Sequence, residues 1–218
     1  MKKIALSITI LFVLSYLYSC SSVTTVSGTW KKPATSAKRY NKIAVIGLSG
    51  DIVKRSAVEN AIVSKLKADG INAVAGTTIL PDTFVDNNDD GKVDDAKKEA
   101  IAAELEKQGV DGALTISLVN VKESEQYVPG SSFYTPYSGY YGFNNYYGGA
   151  YNMVNTPGYY VKNTNIFLAS NFYDLTNNDA LIWSAQTNTG NPTSINDLAQ
   201  SYSTALVEDF LSAGVVRK

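Results

Sequence analysis

The chain has 218 residues, with 19 basic and 20 acidic side chains, one cysteine and no histidine. Near-neutral charge without a basic stripe gives nucleic acid no electrostatic footprint. Lacking histidine, the chain has no parts for Ser-His, Cys-His or His-ligated zinc chemistry. Carboxylate pairs and Ser-Lys dyads stay open, but the expectation is a protein that is not an enzyme and carries no cofactor.

Met1 to Cys20 opens with Lys2 and Lys3 and continues as a charge-free run, Ile4 to Tyr18, interrupted only by Ser7, Thr9 and Ser15. That is shorter than the ~20 apolar residues a bilayer span needs and fits the apolar region of a secretory leader. The run stops at Leu17-Tyr18-Ser19-Cys20, and the pattern resembles a bacterial lipoprotein signal: residues 1–19 removed, Cys20 lipidated. A lone thiol in an exported chain cannot close an internal disulfide. A diacylglyceryl thioether with an acylated (palmitoylated) amine would consume it, and two or more acyl chains anchor stably where one does not. Without Lys2 and Lys3, 17 basic and 20 acidic side chains leave a net charge of −3.

Residues 20–40 read as the lipidated cysteine and a Ser/Thr-rich tether, a coil spanning roughly 20–25 Å. Within it Trp30 is out of place, because a large aromatic tends to dock; Val26 to Trp30 is expected to lie extended against the sheet. Residues 41–218 are expected to form one domain. Lys42 to Leu48 is an uninterrupted β-branched run, the pattern of a strand covered on both faces. Ser49-Gly50-Asp51 provides a turn and helix cap, and Val58, Ala61, Ile62, Lys65 and Leu66 repeat at helical spacing before Gly70. Strand Ile71 to Ala75 follows. A second helix from near Asp94 carries Ala96, Ala100, Ile101 and Leu105 on one stripe, and Gly112 to Val121 is the third strand. Asn165 to Asp174 and Ala180 to Asn188 flank a turn and predict an antiparallel hairpin with Trp183 on its second strand. Ser194-Ile195-Asn196-Asp197 resembles a capping box ahead of a final helix with Ile195, Leu198, Tyr202, Ala205, Leu206 and Phe210 on one face. The predicted class is α/β: a β-α-β-α-β nucleus extended by an antiparallel hairpin into a mixed sheet and covered by three helices.

Three stretches invite chemistry. Gly47-Leu48-Ser49-Gly50-Asp51 has glycines at a strand-to-helix turn, but neither the Lys-Ser/Thr of a P-loop nor the full G-x-G-x-x-G. Asp51 also sets negative charge where a phosphate would sit, so a plain turn is expected. Asp86, Asn88, Asp90 and Asp94 match positions 1, 3, 5 and 9 of a calcium loop. Position 12 is Lys97, so the bidentate carboxylate is missing, and the expectation is a solvated turn with calcium as the weaker reading. Residues 127–161 hold ten of the fifteen tyrosines, six glycines and no charge. This insertion far exceeds the usual connection of ~4–6 residues. It reads either as a disordered linker or as an adhesive surface in which Tyr134, Tyr137, Tyr140, Tyr141, Tyr146, Tyr147 and Tyr151 meet glycan, protein or membrane interface.

The leader, the tether, Gly28-Thr29-Trp30-Lys31-Lys32-Pro33, the Lys42–Leu48 strand, Val128-Pro129-Gly130 and Leu181-Ile-Trp-Ser-Ala-Gln-Thr187 together resemble a family of small lipoproteins common in Bacteroidota-type bacteria. In outline the domain is similar to the periplasmic α/β domains of outer-membrane lipoproteins, such as the activators of peptidoglycan synthases and the curli secretion lipoprotein. No catalytic residues come with the resemblance. It implies an outer-membrane anchor facing the periplasm, since Ser21 follows the cysteine and no acidic run follows it. It further implies an interaction or envelope-assembly role, with an envelope protein as partner or, alternatively, a peptidoglycan-type glycan bound by the tyrosines.

Overall fold

A computed structural model describes residues 23–80, 95–128 and 159–217. The described strands form one six-stranded mixed sheet in the order β1-β6-β5-β4-β2-β3. Strand β2 (Ile43–Leu48) is central in the parallel part, paired with β3 (Ala73–Ala75) on one side and β4 (Gly112–Val128) on the other. Ile43, Ala44 and Val45 are all buried, as a strand with both faces covered requires. Strands β4, β5 (Tyr159–Asp174) and β6 (Ala180–Gly190) pair antiparallel. The predicted mixed sheet, with its parallel nucleus and added hairpin, is the observed one.

The tether expected over 20–40 is a strand from Val23 onwards. Strand β1 (Val23–Lys31) pairs antiparallel with β6 from Val23↔Gly190 to Lys31↔Trp183, slipping register between Val26 and Gly28. Val-Thr-Thr-Val is a good strand former, and the Thr24 and Thr189 hydroxyls meet at 2.7 Å across the pair. The extended course expected for Val26 to Trp30 is present, but the Trp30 ring is not docked. It stays about half exposed (47%), in register with Ser184 on the face away from the main core.

Helix α1 (Ile52–Ala68) starts where Asp51 accepts the Val53 and Lys54 N–H groups at 3.1 Å. It buries Val58, Ile62 and Leu66 against the sheet beside α4, defined below. A single turn, α2 (Gly76–Ile79), follows β3, and α3 (Asp95–Lys107) precedes β4. Of the apolar stripe expected on α3 only Leu105 is buried, with Ile101 half-buried and Ala96 exposed. That helix covers only the parallel end of the second sheet face, over Ala44 and Val110. The last helix, α4 (Ile195–Ser212), begins at Ser194, whose hydroxyl accepts the Asp197 N–H at 3.1 Å. Asp197 reaches back to the Thr193 N–H at 2.9 Å, one residue earlier than the expected capping box.

Tyr202, Leu206, Val207 and Phe210 of α4 close the main core, and Leu198 is buried as well. Phe210 packs edge-on to both Phe172 (4.8 Å between centroids) and Trp183 (4.9 Å). Such aromatic pairs add about 1 kcal/mol each beyond burial. The buried Tyr202 hydroxyl meets Ser170 Oγ at 2.5 Å, which satisfies both polar groups; burial pushes its ionisation above the ordinary tyrosine range.

Candidate functional site

Several predicted site residues lie outside the described residues. These are Cys20, the calcium candidates Asp86, Asn88, Asp90 and Asp94, and Tyr134, Tyr137, Tyr140, Tyr141, Tyr146, Tyr147 and Tyr151. The described residues show what holds both ends of the tyrosine-rich segment and where the N-terminal segment enters.

At the β2–α1 turn, the Gly47 N–H is engaged from inside the fold. Glu59 of α1 is fully buried, and its carboxylate accepts the Gly47 N–H at 2.8 Å and the Thr77 N–H at 2.7 Å. Arg55, also buried, holds Nε 3.8 Å from the same carboxylate. Gly47 is required here, because a Cβ would stand 2.8 Å from Arg55 Cγ. One side chain thus ties the ends of β2 and β3 together. Sequence reasoning missed Glu59. The available signal was its place on the apolar stripe of α1, between Val58 and Ile62.

The ends of β2 and β4, the starts of α1 and α4, and the N-terminus of β1 all lie at the same pole, because β1 runs antiparallel to β6. One row of partners crosses four strands there: Val23, Gly190, Asn165 and Lys122. Beyond that row β4 and β5 continue as a two-stranded ribbon, from Glu123↔Thr164 to Val128↔Tyr159, with Asn191 bonded to Thr164 and Asn163 at its base. Six residue pairs at ~3.3 Å each carry its tip about 20 Å from the globule.

A bulge between Leu118 and Asn120 roots this ribbon and turns both Leu118 and Val119 outward. Among the described residues, the exposed large apolar side chains gather at this pole, with Trp30 the exception. Val23 is on β1, and Leu48, Ile52 and Val53 flank the β2–α1 turn. Leu118, Val119 and Val121 are at the ribbon's root, and Tyr127, Tyr159 and Tyr160 at its tip. Midway, Lys162 pairs with Glu123 at 2.9 Å, and Lys122 and Glu125 add one charge of each sign. Such charges discourage edge-to-edge pairing of a bare ribbon. Tyr127 and Tyr160, opposite each other, pack with centroids 5.0 Å apart.

The far pole is polar. Lys38 Nζ donates to Asp174 Oδ1 at 2.8 Å, and the Thr176 hydroxyl and N–H donate to the same oxygen at 2.8 and 3.1 Å. Burial of Asp174 opposes its ionisation, but these donors outweigh it and hold the carboxyl below its ordinary range. Burial, with the Asp174 charge behind it, pushes the neighbouring Tyr40 hydroxyl well above its ordinary range. Among the described residues no cluster of acidic, cysteine or histidine side chains is placed to hold a metal, and no helix is long and apolar enough to cross a membrane.

No protein-family model matches the chain, and no curated protein sequence matches it. Among solved structures, it is similar to the PelC dodecamer from Paraburkholderia phytofirmans, 13% identical over 90% of this chain and 100% of that one, with a TM-score of 0.46. It is also similar to lipoprotein GNA1162 from Neisseria meningitidis, 15% identical over 78% of this chain and 98% of that one, with a TM-score of 0.41. At such scores these partial likenesses say nothing of what this chain binds.

Proposed function

We propose that the chain is a lipid-anchored protein of the cell envelope, held to the periplasmic leaflet of an outer membrane through Cys20. In this reading it works without catalysis, as an interaction or assembly module. The observation that carries the proposal is the pairing of Val128 with Tyr159 at the end of a protruding ribbon. The two ends of residues 129–158 are thereby clamped side by side, about 20 Å from the globule. Charge-free and tyrosine-rich, that segment offers contact area and hydroxyls at low entropic cost. A ribbon whose tip carries both ends of that segment is a presentation device. The chemistry of the chain supports a binding role over a catalytic one, since a single cysteine assigned to lipid and no histidine leave no side chain whose ordinary pKa lies near neutrality.

The partner in this reading is an envelope protein. In-cell cross-linking of the intact lipoprotein should give a discrete adduct that disappears when residues 131–157 are deleted. Retention on insoluble peptidoglycan, lost on the same deletion, would instead establish the glycan reading. An unmodified Cys20 sulfur in protein purified from its native cells would overturn the anchor.

A further inference from the structure

The pole where the chain enters the sheet is also its apolar pole, and lengths make this a constraint. Cys20 precedes Val23 by three residues, so an acylated Cys20 lies at most about 10 Å from the Val23–Gly190–Asn165–Lys122 row. The ribbon tip lies about 20 Å beyond the same row on the same side. Laterally, β1 stands only two or three strand spacings of ~4.8 Å from β5 and β4. The ribbon therefore outreaches the anchor by about 10 Å. With the apolar pole toward the bilayer, a domain tethered this closely brings the ribbon to the interface. In that orientation the tip either enters the interface or tilts until the ribbon lies along it.

We infer that this pole is a lipid-docking surface whose occupant is the leaflet that receives the Cys20 acyl chains. Its tip residues Tyr127, Tyr159 and Tyr160 sit at headgroup depth, and Leu118 and Val121 at the ribbon's root lie against the same surface. The inference rests on the anchor proposed above and names what the exposed apolar end of the domain meets. The residue types fit. Tyrosine is enriched at membrane–water interfaces, where its ring is apolar and its hydroxyl wet. The ribbon's lysines and glutamates balance in number, so docking relies on apolar and interfacial contact and not on anionic lipid. The anchor then fixes position while the ribbon fixes orientation, and the pole bearing Lys38 and Asp174 faces away. The partner met by residues 129–158 is accordingly one embedded in, or lying on, that leaflet.

The test reconstitutes the acylated protein in phosphatidylethanolamine/phosphatidylglycerol vesicles with brominated acyl chains, which quench nearby tryptophan. Three single variants are compared with the parent: Tyr127→Trp, Leu118→Trp and, near the other end of α1, Lys67→Trp. The added emission at 127 and 118 should be largely lost in brominated vesicles, whereas that at 67 persists. Equal emission at all three positions overturns the inference, as does a protein adduct at Tyr127 that persists in detergent while quenching is absent. Mass spectrometry of the same preparation separates the two levels. Acylated Cys20 without quenching defeats the docking surface alone, whereas unacylated Cys20 defeats the anchor and the inference resting on it. Matching circular dichroism spectra of the variants exclude misfolding as the cause of a negative result.

Discussion

Strands β4 and β5 live two lives. Between Gly112 and Ile116, β4 has β2 on one side and β5 on the other, and Leu114 is fully buried. Between Glu123 and Val128 the same strand has one neighbour, and its side chains are exposed or half-buried. The sequence changes with the environment, from Gly-Ala-Leu-Thr-Ile to Glu-Ser-Glu-Gln-Tyr-Val. The contrast separates two sources of order. The inner half is held by burial of aromatic and aliphatic area. The outer half is held by ladder hydrogen bonds and a few cross-strand pairs, each worth under about 1 kcal/mol. A two-stranded ribbon on its own is marginally stable in water.

The widest gap between the halves should show in core truncation. Phe172→Ala removes the ring that Tyr40 and Phe210 both meet edge-on, and is expected to cost about 3–5 kcal/mol. That would lower Tm by roughly 10 °C for a domain of this size. Next comes Glu59→Ala, which strips the Gly47 and Thr77 N–H groups of their acceptor and Arg55 of its carboxylate. A loss of about 3 kcal/mol in urea unfolding is expected, with a smaller loss for Glu59→Gln, which keeps an acceptor oxygen. Gly112→Ala sits at the root of β4, where a Cβ would stand 2.8 Å from Phe172 Cζ and 3.0 Å from Tyr40 Cδ1. Overpacking there should cost about 2 kcal/mol. A Gly112→Ala protein as stable as the parent would show that the inner half is looser than its burial implies.

Much of the inner half was legible in the sequence because burial writes periodicity. The Lys42–Leu48 run, the α1 stripe and the Leu198–Phe210 stripe each carry a core face in their spacing. The outer half was not. Lys122 to Gln126 has no apolar alternation, since neither face of the ribbon packs on a core, and β4 was expected to stop at Val121. The ends of the insertion, Tyr127, Val128 and Tyr159 to Val161, likewise read as loop although they are paired. β1 was legible only in part: Val26 to Trp30 was expected to lie extended against the sheet, whereas Val23 to Thr25 read as tether. Its polar residues alternate against an edge position, where Thr24 and Thr29 bond to Thr189 and Asp209 instead of filling apolar space. That Val23 and the ribbon share a pole was not legible either, because it is a consequence of strand order and no local pattern encodes it.

Smaller effects test the polar far pole against the apolar one. Asp174 has a folded pKa below its unfolded value, since the Lys38 and Thr176 donors outweigh the burial that opposes its charge. Its contribution is therefore present in full above the ordinary aspartate pKa of about 3.9 and is lost as the pH falls below that toward the depressed folded value. Asp174→Asn should cost about 1 kcal/mol at pH 7, with Lys38 partly solvated, and should flatten the decline in stability measured between pH 5 and pH 3. An unchanged acid limb would show that other carboxylates carry it.

The smallest expected effect is the most telling for the comparison. Tyr127→Ala removes one ring of the Tyr127–Tyr160 pair at the ribbon tip. If the ribbon is held only by its own pairs, global unfolding should move by about 0.5 kcal/mol or less. Amide exchange at 124–127 and 160–163 should accelerate nevertheless, because those bonds open by local fraying and not by global unfolding. A drop in Tm approaching that of Phe172→Ala would mean that the ribbon and globule unfold as one, and the division drawn between the two halves would fail. Protection that returns when the acylated Tyr127→Ala protein is placed on vesicles would show the leaflet supplying what the missing ring had supplied.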